Sequence, residues 1–220
     1  MPDTLRSRAA YVEGVDDLNV IMHLLRRHGI ESVRKDPKGN PPGVPTIDPM
    51  GSVEKLLAGM TAAIKGGTDK TIGFVLDADL ALASRWAAVR GRLSEAEVDA
   101  PEAPPVDGFI GHSPKYRAAV GVWLMPDNQH DGRLETLLRS LIDEADPLID
   151  HATKATHEAK RLGAKFSELD FDKARLHAWL AWQKEPGKPY GTAICAEYFG
   201  VDSPAAQQFV AWFKALFAIP

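Results

Sequence analysis

The sequence predicts an α/β fold, a parallel sheet flanked by helices, followed by a C-terminal helical extension. Three observations predict it. Through residue 142, short apolar runs alternate with segments whose apolar residues recur at the helical period. Two of those runs, at 71–76 and within 116–125 (AAVGVWLM), are almost continuously apolar, as in strands covered on both faces of a parallel sheet. From Asp146 onward, helical patterns succeed one another with no strand between them. The expected division is therefore an alternating domain at 1–145 and a helical extension at 146–220.

Residues 9–12 form a short apolar run that stops at Glu13-Gly14, after which Leu18, Ile21, Leu24 and Leu25 recur at helical spacing. This reads strand, tight turn, helix. Asp16 and Asp17 fit the first helical turn, where unpaired amides and the helix dipole favour a carboxylate, and His28-Gly29 fits the stop. Residues 31–45 carry Arg34, Lys35 and Lys38, then Pro41, Pro42 and Pro45. The prolines forbid a continuous helix and predict a loop leading to a weak strand at 44–47. A helix is expected over 52–65, with Val53, Leu56, Leu57, Met60 and Ile64 on one face and Gly66-Gly67 at its end.

The apolar strand at 71–76 ends abruptly in Asp77-Ala78-Asp79. Leu82, Trp86 and Val89 then share a face of a helix over 81–93, and an acidic, proline-bearing loop fills 94–105. The strand within 116–125 stops at Pro126-Asp127-Asn128, a turn sequence. A helix over 133–142 follows, with Leu134, Leu137, Leu138 and Leu141 on one side. Further helices are expected at 151–162, 173–183 and 205–217, with PGKPYG and 200–203 between the last two. Trp179, Trp182, Trp212, Phe213 and Phe217 recur at helical spacing with Leu176, Leu180 and Leu216, which reads as core packing rather than a base-stacking surface.

Composition narrows the function classes. Hydrophobic residues at 45% and charged residues at 25% exclude disordered and fibrous readings. A net charge of −4 gives no global attraction to nucleic acid, so such binding needs local basic patches, metal ions or a more basic partner. The single cysteine, Cys195, excludes an intramolecular disulfide and any multi-cysteine zinc site. The first residues lack the apolar core of a leader, and no apolar run approaches the roughly 20 residues of a membrane span. The expectation is a cytoplasmic protein without a membrane partner. Neither GxxxxGK[ST] nor GxGxxG occurs, and the seven histidines form no HExxH pair, which removes the usual nucleotide and zinc routes.

In a parallel sheet, ligands sit outside the carboxyl ends of the strands, and Glu13, Asp77, Asp79 and Asp127 all follow such ends. Carboxylates gathered there repel one another unless they share a cation. A hard ion such as Mg²⁺, with Mn²⁺ as a substitute, takes oxygen ligands and usually one or two carboxylates plus phosphate oxygens. In an extended strand end, Asp77 and Asp79 would project to the same side, with the small Ala78 between them admitting a phosphate.

Glu-Gly after the first strand and DxD after a buried later strand are separated by about 60 residues holding a strand and helices. With this arrangement, YVEGVDD at 11–17 and FVLDADL at 74–80 resemble the Toprim domain of topoisomerases, bacterial primases and the overcoming-lysogenization-defect nucleases. VEGVDDLNVIMHLLRRHG, LDADL followed by Arg85-Trp86, GVWLMPDNQHDGRLETLL and LHAWLAWQKEPGKPYGTAI are similar to a bacterial family of stand-alone Toprim-like proteins, so the resemblance covers nearly the whole chain.

The resemblance implies a Toprim (Rossmann-like) sheet, with Glu13 as the Toprim glutamate and Asp77 and Asp79 as its paired aspartates. It also implies a further helix acid and a lysine that complete a two-metal site in related nucleases. Glu135 and Lys173 are the candidates, with Asp127 competing with Glu135 and Lys154 with Lys173. Asp17, chiefly a helix-start residue, is also placed to reach a second ion. The implied activity is Mg²⁺-dependent phosphodiester hydrolysis of nucleic acid, DNA ahead of RNA, with any ATPase partner on a separate polypeptide and homo-oligomerisation left open. The rival is a non-catalytic, metal-binding Toprim-like subunit that docks a partner protein. Nucleotidyl transfer and topoisomerase chemistry would need companion domains that the sequence lacks.

Overall fold

The computed structural model describes residues 7–66 and 68–220. Its elements in chain order are β1 (Ser7–Val12), α1 (Val15–Arg27), β2 (Val33–Arg34), β3 (Thr46–Pro49), α2 (Val53–Lys65), β4 (Lys70–Asp77), α3 (Leu82–Glu95), β5 (Phe109–Ser113), β6 (Ala118–Met125), α4 (Leu134–Ser140), α5 (Pro147–Arg161), α6 (Phe171–Leu180), α7 (Tyr190–Cys195) and α8 (Pro204–Phe217). A single 3₁₀ turn, Glu168–Asp170, leads into α6. The expected helix end at Gly66-Gly67 is met at Gly66, while Gly67 lies outside the described residues.

The six strands form one sheet in the order β2-β3-β1-β4-β6-β5. All neighbours are parallel except β5, which pairs antiparallel with β6. The expected α/β sheet is thus mostly parallel, with an antiparallel edge and a two-residue strand at the other margin. Neither margin strand was predicted, because neither is a continuous apolar run: β5 alternates buried Phe109 and Ser113 with exposed Ile110 and His112. β2 is too short to show any period.

Alternation along the strands divides the core into two layers. Ala10, Val12, Val75, Trp123 and Met125 face α1, α4 and the C-terminal helices. Ile72, Phe74, Leu76, Val120, Val122 and Leu124 face α2 and α3. Residues 146–220 belong to the first layer, since Leu176, Trp179, Phe209, Trp212, Phe213 and Phe217 lie in the same buried cluster as Val12 and Trp123. The aromatic residues read as core do pack there, apart from Trp182, which is partly exposed.

Helix α8 approaches the sheet over Gly73 and Gly121, which are directly opposed on β4 and β6. A Cβ on Gly121 would lie 2.5 Å from Leu216 Cδ2, so the two glycines form a trough that only a bare backbone provides. Helix α7, also unpredicted, packs on α1, and Arg27 Nη1 donates to the carbonyls of Ile194 and Phe199 at 3.3 and 3.1 Å. Among the described residues no helix is long and apolar enough to cross a membrane.

The strand order fixes where a ligand can enter. From the carboxyl end of β1 the chain leaves through α1, on one face, towards β2 and β3; from that of β4 it leaves through α3, on the other face, towards β5 and β6. The connections therefore diverge at the carboxyl ends of β1 and β4, which opens a crevice there. Glu13 follows β1, and Asp77 is the last residue of β4.

Candidate functional site

Glu13 and Asp77 are joined across the crevice by the backbone. The Asp77 amide donates to Glu13 Oε1 at 2.8 Å, and the Leu134 amide at the start of α4 donates to Asp77 Oδ1 at 3.0 Å. Asp77 thus caps a helix N-terminus while Glu13 ties β1 to β4. On α1, the Gly14 amide donates to Asp17 Oδ2 at 2.9 Å, the return half of a capping box. Asp17 performs the helix-start role read from the sequence, and it also faces the crevice.

These groups open on a cavity of about 350 Å³. Glu13, Asp17, Asp77 and Glu135 line it with Arg133 and Lys173. Asp16 and Asp170 also reach its wall, so six carboxylates meet two cationic side chains there. Lys173 Nζ lies 3.7 Å from Glu135 Oε1, and Arg133 Nη1 lies 3.6 Å from Asp170 Oδ1. Helix α6 and the 3₁₀ turn before it therefore close one side of a site whose floor is built by the sheet.

The negative excess perturbs the acids. Burial, reinforced by repulsion from Asp17 and Asp79, pushes the Glu13 carboxyl up to about 7. Burial raises Asp17 to about 6, with Glu135 and Asp16 adding repulsion. Asp77 is raised well above the ordinary carboxylate range, first by burial and then by the charges of Asp17, Glu13 and Glu135. A cluster of this kind is short of positive charge, and a cation or bound protons would relieve it.

Asp79 is placed differently. The alternation expected for an extended strand end stops at Asp77, because Asp79 adopts a left-handed backbone, φ +56°, and bridges to Gly132. Its carboxylate turns away from the Glu13 cavity to Arg85 Nη2 at 2.5 Å and Arg133 Nε at 2.6 Å. Arg85 Nε also donates to the Asp77 carbonyl at 2.8 Å, locking the DxD turn. Asp127 is not brought to the cavity either: it accepts from the amides of Gln129 and His130, both at 3.0 Å, and pairs with the His130 ring. Lys154 pairs along its own helix with Asp150.

The structure thus brings Glu13, Asp77, Glu135 and Lys173 to one cavity and places Asp127 and Lys154 elsewhere. Sequence reasoning missed Arg133 and Asp170. Arg133 had a weak signal, as a cation opening the helix that carries Glu135; Asp170, in a turn of the extension, had none.

No group of three or more His, Cys, Asp or Glu side chains among the described residues is drawn together closely enough to enclose a metal ion. The donor set still suits a hard divalent cation, since Glu13 and Asp77 supply two buried, mutually repelling oxygens and the cavity has room for water. Mg²⁺ commonly binds through one or two carboxylates with waters completing its shell.

A family model described as "Protein of unknown function (DUF3226)" matches residues 8–218. No curated protein and no solved structure matches the chain.

Proposed function

We propose that this chain, which belongs to the DUF3226 family, is a Toprim-type, Mg²⁺-dependent nuclease that cleaves phosphodiester bonds, with DNA the favoured substrate. The observation that carries the reading is the cavity at the switch point, where Glu13 and Asp77 meet with an excess of carboxylates and two cations on the rim. Glu13 and Asp77 would hold the ion, with Glu135 or Asp17 reaching it through water. When bound, Mg²⁺ supplies Lewis-acid stabilisation of a phosphoryl group and lowers the pKa of a coordinated water.

The chain's own residues have distinct tasks in this reading. Glu13 and Asp77 give up their protons and bind. Lys173 and Arg133 offset charge building on the phosphoryl oxygens, a use for which the forked guanidinium of Arg133 is well shaped. Asp79 is a positioning residue: it fixes Arg133 and Arg85 rather than the ion. Any ATP-driven step would come from a separate polypeptide.

A second reading has a specific observation in its favour. With Asp79 held by two arginines, only part of the acidic triad faces the cavity, as suits a metal-binding subunit that docks a partner without cutting nucleic acid. Titration with Mg²⁺ and Mn²⁺, followed by cleavage assays on DNA and RNA, separates the two. Cleavage lost together with metal binding in Asp77→Asn supports the nuclease. Metal binding without cleavage of any substrate, alone or with a cognate ATPase, supports the subunit.

A further inference from the structure

Behind Arg133 a second cavity, of about 410 Å³, adjoins the acidic one, with Arg133 and Leu169 lining both. Its character is different. Ala78, Leu80, Ala81 and Ala88 make most of its wall apolar, and Asp79, Ser84 and Arg85 supply the polar edge, Asp79 and Arg85 being paired with each other. Leu80 and Leu169 are 69% and 41% exposed, so both are open to a ligand at the cavity. The volume lies in the range of small-ligand pockets.

Resting on the nuclease reading above, we propose that this apolar cavity takes an unpaired nucleobase, so that the substrate is a single strand or a frayed end rather than intact duplex. The two cavities share Arg133 and Leu169, so a strand with a phosphate in the acidic cavity would bring a flanking nucleoside to the apolar one. The neighbouring concavity on that side presents aliphatic surface for a base face, with the Ser84 hydroxyl for a base edge, while Arg85 is held by Asp79 and the Asp77 carbonyl. Arg133, shared by both cavities, is placed to hold the phosphate between them. A base in a Watson–Crick pair cannot enter such a recess without leaving its stack.

The test is fluorescence anisotropy with a labelled oligonucleotide, single-stranded and in duplex, with the full chain in Ca²⁺ to hold back cleavage. The single strand is expected to bind about tenfold more tightly than the duplex. Leu80→Asp and Leu169→Asp should each weaken single-strand binding by about tenfold, as apolar contact with the base is lost. Both positions are exposed, and unchanged Mn²⁺ titration of the variants confirms an intact fold and metal site.

Equal binding of the two forms, no binding of either, or variants that bind the single strand like the wild type would overturn the inference. So would loss of a homodimer in Leu80→Asp by sedimentation with single-strand binding intact, since the apolar rim would then belong to a second copy. Single-strand binding that needs Leu80 but is never followed by cleavage in Mg²⁺ supports the base pocket while removing the nuclease reading.

Discussion

Replacing Glu13 by Gln should stabilise the metal-free protein at pH 8, although it changes a residue at the centre of the site. The Gln side-chain oxygen can still accept from the Asp77 amide, so the tie between β1 and β4 is kept while the charge is removed. Glu13 is raised from 4.5 to about 7 in the folded chain. The native state therefore holds this proton more tightly than the unfolded state. Its stabilising contribution is complete below about pH 4.5 and is lost as the pH rises through about 7. At about 1.4 kcal/mol per pKa unit, the charged form costs on the order of 3 kcal/mol at pH 8. For a chain of this size that corresponds to roughly 6–12 °C in Tm.

Thermal unfolding in EDTA from pH 4.5 to 8.5 would read both curves. The wild type should lose stability across that interval and recover it on adding Mg²⁺, because the ion displaces the protons. Glu13→Gln should show a flatter profile, a higher Tm at pH 8 and little response to Mg²⁺. A lower Tm for the variant at pH 8, or an unchanged pH slope, would refute the claim that an uncompensated carboxylate cluster strains the empty site.

Four other substitutions probe separate parts of the structure. Asp79→Asn leaves Arg85 without its charged partner and Arg133 with Asp170 alone, and should cost about 1–3 kcal/mol in urea unfolding, while Mg²⁺ affinity by calorimetry stays within about twofold, since Asp79 faces the arginines. A loss of affinity as large as that of Asp77→Asn would place Asp79 on the ion after all. Lys173→Met should reduce single-strand cleavage about 100-fold with metal binding retained, the scale of one lost transition-state donor; an unchanged rate would make the Glu135 pair purely structural. Gly121→Ala drives a methyl to 2.5 Å from Leu216 Cδ2 and should cost about 1–3 kcal/mol by overpacking, whereas Gly91→Ala, on the exposed side of α3 with open space around it, should be neutral or slightly stabilising.

The sequence showed those parts of the fold whose burial is one-sided or complete over several residues. β4 and β6 are buried along nearly their whole length and appear as apolar runs; α1, α2 and α8 each present a periodic apolar face. β5 and α7 escaped notice for opposite reasons. β5 is a margin strand with solvent on alternate residues, and α7 is a six-residue helix that owes its place to close contact with α1 rather than to propensity. The Gly191 Cβ position, 2.8 Å from Asn19 Cβ, marks that contact in space, and nothing marks it in the local pattern.

At the site, what could be read was the chain's direction, and what could not was a single dihedral angle. Strand ends followed by acids located Glu13 and Asp77, because a parallel sheet exposes its carboxyl edge wherever the crossovers diverge. Extending the β alternation by two residues to Asp79 assumed that the strand continued. It ends at Asp77, the backbone turns to positive φ, and the second aspartate leaves the cavity to organise two arginines. Arg133 thereby becomes the residue common to the acidic cavity and its apolar neighbour. If the chain cuts nucleic acid, the second Asp of the DxD governs how the phosphate is held, and its loss should raise KM more than it lowers kcat.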